Sequence, residues 1–542
     1  MRRLIILISL LLPLGAQAQL VERIYVSTDR SVYIAGDEIW CSLFSVNPSG
    51  ELSSFSAVAY VELLSVDGPA ARTKISLMEG RGAGQLRIPA GTPTGPYRLV
   101  AYTAQNTNEE GNGYLAGSRK LAVYNTSSTA RVQGGVELTD EMPHKKAIPS
   151  GKGSVEFSIK GRAFTGESFT LQMKNAGAPA SVSVSVYHRD ILPEQDNPGL
   201  EAFLATVKKE GPVTVSGHRP AEYEGEIIHA RLTGKAELNG VSTLSSAGSP
   251  TDVYVGRVAE DGHLLFYTNN IYGNRELVCD AGSPEAVVTL EDPFIAPEVG
   301  PMEPLTLCKE MYSPLVSRKA GAVSCRADTL VQFMPRRQDL LLDGNRHKRY
   351  HLDDYTRFPS VKEVLVEIMP ELKLRTSHGK PAIWMLKMDP NTKLQSLVDN
   401  ILVMLDGVAL GDLSPLLNMD AMLLEDVDLY WDSIVVGGLS YNGVVNFITK
   451  KFYVKAIEFP SQVRVVDFLG VSYPLAYTGD VPRCEKDYRQ LLFWHPLMTL
   501  PSGEVQQLQM TAPAYAGSFV AVVEGMSGEG NPVYETFEFE IR

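Results

Sequence analysis

The sequence predicts a multidomain, mainly β protein: several β-sandwiches plus one small α/β unit. Three observations carry that expectation. Apolar and polar residues alternate in short runs separated by turn residues, as in Ala57-Val58-Ala59-Tyr60-Val61-Glu62-Leu63. The 46 Gly and 33 Pro suit many turns between many short strands. Near residue 358 the period changes from two to that of an amphipathic helix. A chain of 542 residues allows about three to five domains. The 44% hydrophobic and 21% charged residues are ordinary for folded protein and argue against long disorder.

Residues 1–18 read as an export signal. Arg2 and Arg3 precede an apolar stretch, Leu4 to Leu14, and Ala16-Gln17-Ala18 supplies a small-x-small cleavage site. The apolar stretch is shorter than a bilayer span, and no later stretch approaches ~18 uninterrupted apolar residues. A periplasmic, outer-membrane-associated or cell-surface location in a Gram-negative bacterium is expected. The net charge of −13 disfavours nucleic acid and anionic lipid surfaces as partners. Five cysteines, Cys41, Cys279, Cys308, Cys325 and Cys484, form no Cys-x-x-Cys. Cys308 and Cys325 are the candidate disulfide, with free thiols as the equal alternative.

Residues 19–125 are expected to form the first sandwich. Its strand-like runs include Ile24-Tyr25-Val26, Glu38–Leu43, Gly84–Ile88 and Tyr97–Tyr102. Thr28-Asp29-Arg30-Ser31-Val32-Tyr33-Ile34-Ala35-Gly36-Asp37 resembles the opening of the second macroglobulin-like (MG2) domain of the α2-macroglobulin family. Gly95-Pro96-Tyr97-Arg98-Leu99 resembles its closing strand. The family's thioester motif, a Cys followed closely by Glu-Gln, is absent, so the resemblance does not imply covalent trapping.

A second sandwich is expected at 146–220, after a polar linker. Val182-Ser183-Val184-Ser185-Val186-Tyr187 alternates so regularly that it reads as half-buried. One short helix is expected near Leu200–Lys209. A third sandwich is expected at 221–295, with Asp261-Gly262 as a hairpin turn between apolar runs. Residues 296–355 read as a connector, and its basic run Arg346-His347-Lys348-Arg349 as solvated.

The α/β unit is expected at 356–455. Ser360 and Glu363 form a capping box. Val361, Val364, Leu365, Ile368 and Met369 make one apolar helix face, and Pro370 ends it. A buried strand at 400–405 runs into an Asp406-Gly407 turn; a helical stretch, a strand at 425–430 and a third strand opened by Tyr441-Asn442-Gly443 follow. This order, with Leu405-Asp406-Gly407-Val408 and Tyr441-Asn442-Gly443-Val444-Val445-Asn446-Phe447-Ile448-Thr449-Lys450, closely resembles the plug domain of TonB-dependent outer-membrane receptors. Such plugs sit inside a large barrel, and residues 452–542 are too few to build one. The resemblance therefore implies a free-standing plug-like module.

Residues 456–542 are expected to form a C-terminal β unit. Leu492-Phe493-Trp494-His495-Pro496 resembles the start of an immunoglobulin-like module. Phe493 and Trp494 fall on opposite faces of a strand, so one is core and the other, Trp494, is a candidate exposed binding aromatic. The candidate binding residues are thus Asp406, Gly407, Tyr441, Asn442, Gly443 and Trp494.

No catalytic constellation emerges. The nine histidines do not cluster, and His-Glu-x-x-His, Gly-x-Ser-x-Gly and phosphate-binding loops are absent. The acidic clusters Asp353-Asp354 and Glu425-Asp426-x-Asp428 read as solvated faces rather than calcium sites. A non-enzymatic binding or scaffolding protein is expected, with envelope proteins as partners and no cofactor or metal. The alternative is an accessory of TonB-dependent uptake that binds a ligand or caps a separate barrel.

Overall fold

A computed structural model describes residues 21–542, apart from 143–147, 149–150, 152, 190–191, 218, 235–240, 249–250, 325–329, 333–338, 340–341, 378, 389–391, 393, 452–456, 474 and 478–486. The expected export signal and Cys325 and Cys484 lie outside the described residues. The chain is mainly β, with several sandwiches and one α/β unit. Among the described residues no helix is long and apolar enough to cross a membrane.

The first sandwich holds the strands between Arg23 and Tyr124, joined through the long Gly68–Met78 strand that serves both layers. Its core is Ile24, Val26, Leu43, Val61, Leu99, Val123 and their neighbours. The family-like segment works as a staple. Asp29 accepts hydrogen bonds from the Tyr33 hydroxyl (2.7 Å) and the Trp40 amide (2.9 Å). Arg30 bridges Asp29 and Asp37, and Gly36 takes the positive φ of the intervening turn.

The expected independence of 146–220 and 456–542 is corrected by strand pairing. Strand Ser168–Asn175 lies between Val155–Lys160 and Val505–Thr511. Strand Ala180–His188 lies between Leu491–Leu500 and Gly517–Ser527. Two distant segments therefore share one core, with Val182, Val184, Val186, Phe519, Ala521 and Val523 inward. Alternation fixes which face a strand buries and leaves its partner open.

Ala180–His188 is also buried on both faces rather than half-buried. Its polar face meets the first sandwich, where the Ser185 hydroxyl donates to the Asp29 carbonyl at 2.6 Å. The same interface buries Trp494, while Phe493 on the opposite face packs in the second sandwich's own core, so neither is exposed. Trp494 packs on Trp40 with ring centroids 5.4 Å apart.

In the third sandwich, the sheet containing Ile227–Gly234 faces one containing Val241–Ser246. Asp261-Gly262 does not make a hairpin: Asp252–Arg257 and His263–Tyr267 lie in different sheets, so this turn carries the chain across the core. The fourth strand of one sheet, Val463–Phe468, arrives only after the α/β unit. Val471 and Ser472 then pair with Lys74 and Ile75 of the first sandwich.

The α/β unit is a five-stranded mixed sheet with the Val361–Glu367 helix packed on one face. Ser360 and Glu363 make the expected capping box. The presumed connector supplies this sheet's edge strand, His347–His351. Its basic run is paired rather than simply solvated. Arg349 holds Asp428 through two hydrogen bonds of 2.7 and 2.6 Å, and Lys348 reaches Glu371 at 2.7 Å. The acidic run on strand Leu424–Tyr430 is thus the cross-strand complement of the basic run.

Candidate binding cleft

The six residues singled out in the sequence do not form one site. Asp406 and Gly407 make the two-residue turn between Leu402–Leu405 and Val408–Ala409, both at positive φ. The buried Asp406 carboxylate accepts from the Thr449 amide and hydroxyl, each at 2.7 Å. Burial raises its pKa above the ordinary carboxylate value, and the Thr449 bonds oppose that shift. The Asp406 carbonyl accepts the Gly248 amide at 2.8 Å, and a Cβ on Gly407 would stand 2.9 Å from the Gly248 carbonyl oxygen. This turn therefore docks the α/β unit on the third sandwich.

Tyr441, Asn442 and Gly443 lie at the other end of the parallel pair, where Leu402 pairs with Val444. Asn442 donates to the Asp399 carbonyl at 3.0 Å, and Tyr441 is half-buried against Leu402 and Met404. A Cβ on Gly443 would meet the Tyr430 carbonyl oxygen at 2.9 Å. All of these positions serve packing and turn geometry. Trp494 is far from them in the fold, within the interface of the first two sandwiches.

A cleft of about 650 Å³ opens beside that interface. Its walls are the Thr28–Ser31 segment and Arg119 of the first sandwich, Tyr187 and residues 194–205, and Val522, Glu524, Pro532 and Tyr534 of the second. The short helix Leu200–Val207 forms one wall. Leu200, Phe203, Leu204 and Val207 pin it to Tyr25, Phe44 and Val46.

Its lining residues Arg119 and Glu524 are held from beneath by a fixed polar network centred on the buried Tyr25. The Tyr25 hydroxyl donates to Glu524 at 2.5 Å and receives a hydrogen bond from Arg119 at 2.9 Å. Arg119 also approaches Glu524 at 3.4 Å. Burial pushes the Tyr25 hydroxyl well above the ordinary phenol value, with Arg119 opposing and Glu524 reinforcing that shift, so it stays protonated as the donor. Tyr187 donates to Glu194 at 3.1 Å.

Acids dominate the lining. Asp29, Glu194, Asp196, Glu201 and Glu524 outnumber Arg30 and Arg119; Asp29 and Glu524 are buried partners of these arginines, Glu194 lies 3.7 Å from Arg189, and Asp196 and Glu201 are exposed. Tyr187, Tyr534, Leu200 and Ile148 add aromatic and apolar surface. A cavity of this size suits a side chain or short segment. Its charge favours a cation, and its apolar lining favours one carried on an aliphatic or aromatic body. Sequence reasoning missed this cleft because its residues come from several segments far apart in the chain. The one local signal was Glu524, a carboxylate within the apolar run Phe519–Gly525.

No protein-family profile and no curated protein matches the sequence. Among solved structures, trypsin-activated alpha-2-macroglobulin from Escherichia coli aligns over 97% of this chain and 42% of its own, at 9% identity and a TM-score of 0.25. Salmonella alpha-2-macroglobulin reacted with methylamine aligns over 96% and 39%, at 8% identity and a TM-score of 0.23. The Yersinia pseudotuberculosis adhesin InvE aligns over 51% and 60%, at 13% identity and a TM-score of 0.14. The chain spans about two-fifths of the macroglobulins' length. Overlap at this level fixes neither the arrangement of the sandwiches nor a function.

Proposed function

We propose that the chain is a non-enzymatic binding and scaffolding protein of a Gram-negative cell envelope. Its cleft receives a cationic segment, a lysine- or arginine-bearing stretch of a partner envelope protein. The observation that carries this reading is the acid-rich lining over the fixed Tyr25–Arg119–Glu524 network. A network whose hydrogen bonds are already made needs little reordering when a ligand arrives. The interlocked sandwiches hold the cleft walls in register, and the plug-like α/β unit forms a second docking module.

The test uses the full chain and short peptides with central lysine or arginine. Saturable binding that weakens at least about tenfold in Asp196→Lys and Glu201→Lys, and falls with rising salt, supports the proposal. Equal binding by these folded variants overturns it. The plug-like strand order keeps one further reading in view, an accessory to uptake. Recovery of an outer-membrane barrel with bound ligand after cross-linking the native protein in envelopes favours that reading; recovery of other envelope proteins favours scaffolding.

A further inference from the structure

The first and third sandwiches meet around a lysine and two glutamates withdrawn from solvent. Lys74 lies on the long Gly68–Met78 strand, and Glu226 stands immediately before strand Ile227–Gly234. Lys74 is 1% exposed, and Glu222 and Glu226 are each 2% exposed. The Lys74 ammonium meets the Glu226 Oε1 at 2.5 Å and sits over the Phe468 ring, 4.2 Å from its centroid. Glu226 is fixed through its backbone: its amide donates to Asn270 at 3.0 Å, and its carbonyl accepts from the Thr268 amide and hydroxyl. The Tyr60 hydroxyl and the Ile227 amide both donate to the Glu222 Oε1. Among the described residues neither glutamate's Oε2 has a hydrogen-bond partner. Both glutamates line one cavity of about 20 Å³, room for a single water.

An amine held against a carboxyl, away from water and with a second carboxyl beside it, is a constellation for amide formation. In so apolar a site separated charges are costly, and passing a proton from Lys74 to Glu226 leaves a neutral amine beside a neutral acid. We propose that Lys74 and Glu226 condense into an isopeptide bond that links the first sandwich covalently to the third, with Glu222 as the proton carrier. The Lys74 Nζ attacks the Glu226 Cδ, one bond beyond the oxygen it already touches, and the Nζ–Cδ bond forms. Glu222 delivers a proton to the departing hydroxyl, the Cδ–O bond breaks and one water leaves. Glu222 then takes up the proton that Nζ gives up and ends as it began. No oxidant, reductant or co-reactant is consumed, and the cavity has room for the water released. Burial raises the pKa of both carboxyls, that of Glu222 to about 8, so Glu222 has a proton to give at neutral pH. Phe468 reaches the site only with strand Val463–Phe468, so the bond follows completion of the third sandwich.

The test is intact-mass measurement and peptide mapping of the purified, reduced full chain. The wild-type protein is expected to be one water lighter than its sequence, with a branched peptide joining Lys74 to Glu226. A chain cut once by protease between residues 74 and 226 is expected to stay a single species under denaturing, reducing conditions. Lys74→Met and Glu226→Leu are expected to regain the full sequence mass, and Glu222→Gln to leave most chains unlinked. Glu226→Gln, which offers an amide in place of the acid, is expected to form the same bond and be one ammonia lighter. Full sequence mass with separate Lys74 and Glu226 peptides in folded wild-type protein overturns the proposal and leaves a buried ion pair. Complete linkage in folded Glu222→Gln overturns the role given to Glu222.

Discussion

Trp40 of the first sandwich and Trp494 of the second pack at 5.4 Å, with their rings inclined at 44°. Trp494 is fully buried, and its indole is shared between two sandwiches rather than offered to a ligand. The contact makes the interface part of the core of both.

Trp494→Ala is therefore expected to cost about 3–5 kcal/mol, as for other large-to-small core substitutions. Urea unfolding followed by circular dichroism measures it. A loss below about 1 kcal/mol would mean that the indole is not enclosed.

Arg23 joins the first sandwich to the segment after the short helix. Its guanidinium, 1% exposed, meets Glu109 at 2.9 Å and Glu210 at 2.5 Å. Burial opposes its charge, but the two carboxylates outweigh that and raise its pKa. Arg23→Met leaves Glu109 enclosed without a cation. A loss of about 3–5 kcal/mol is expected. Substituting Glu109 by Gln in the same chain should recover part of it, a result that a simple packing defect would not give.

Glu222 makes stability pH-dependent. Its carboxylate is enclosed between the first and third sandwiches, where it accepts from the Tyr60 hydroxyl at 2.8 Å and the Ile227 amide at 2.9 Å. Burial pushes its pKa up from 4.5 to about 8, against those hydrogen bonds. A carboxyl whose folded pKa is raised contributes stability that is complete below about 4.5 and lost as pH rises through about 8. Asp29 acts in the same direction up to about 6. Glu222→Gln should flatten the fall in melting temperature between pH 5 and 9, by several degrees. An unchanged slope would refute the assignment.

Gly407 holds φ at +84° against the Gly248 backbone. Gly407→Ala is expected to cost roughly 1–3 kcal/mol through strain and to loosen the α/β unit from the third sandwich. Limited proteolysis should then cleave at that junction faster, while Asn442→Ala, at the other end of the sheet, should not produce this change.

Much of the fold was legible wherever a signal was local. Period-two runs marked the strands of the first sandwich, the Ser360–Glu363 pair marked a helix start, and Asp406-Gly407 marked a turn. Long-range pairing was not legible. Ser183 and Ser185 look like a solvent face, yet they are buried because a second domain covers them. The basic residues at 348–349 and the acids at 426 and 428 carried a readable complementarity, opposite charges on two strands of similar length. They were read separately as solvated. The cleft was hidden for a related reason: Tyr25, Arg119 and Glu524 meet only through tertiary packing.

The return of Val463–Phe468 to the third sandwich and of Val471-Ser472 to the first means that the α/β unit hangs from the body as a closed loop, not as a bead on a string. A pull through its C-terminal end meets the two attachments in turn, first Val463–Phe468 and then Val471-Ser472. Detaching the first must unzip a strand from a sheet edge. A partner tugging there would load the sandwiches together, giving the molecule the mechanics of a bracket.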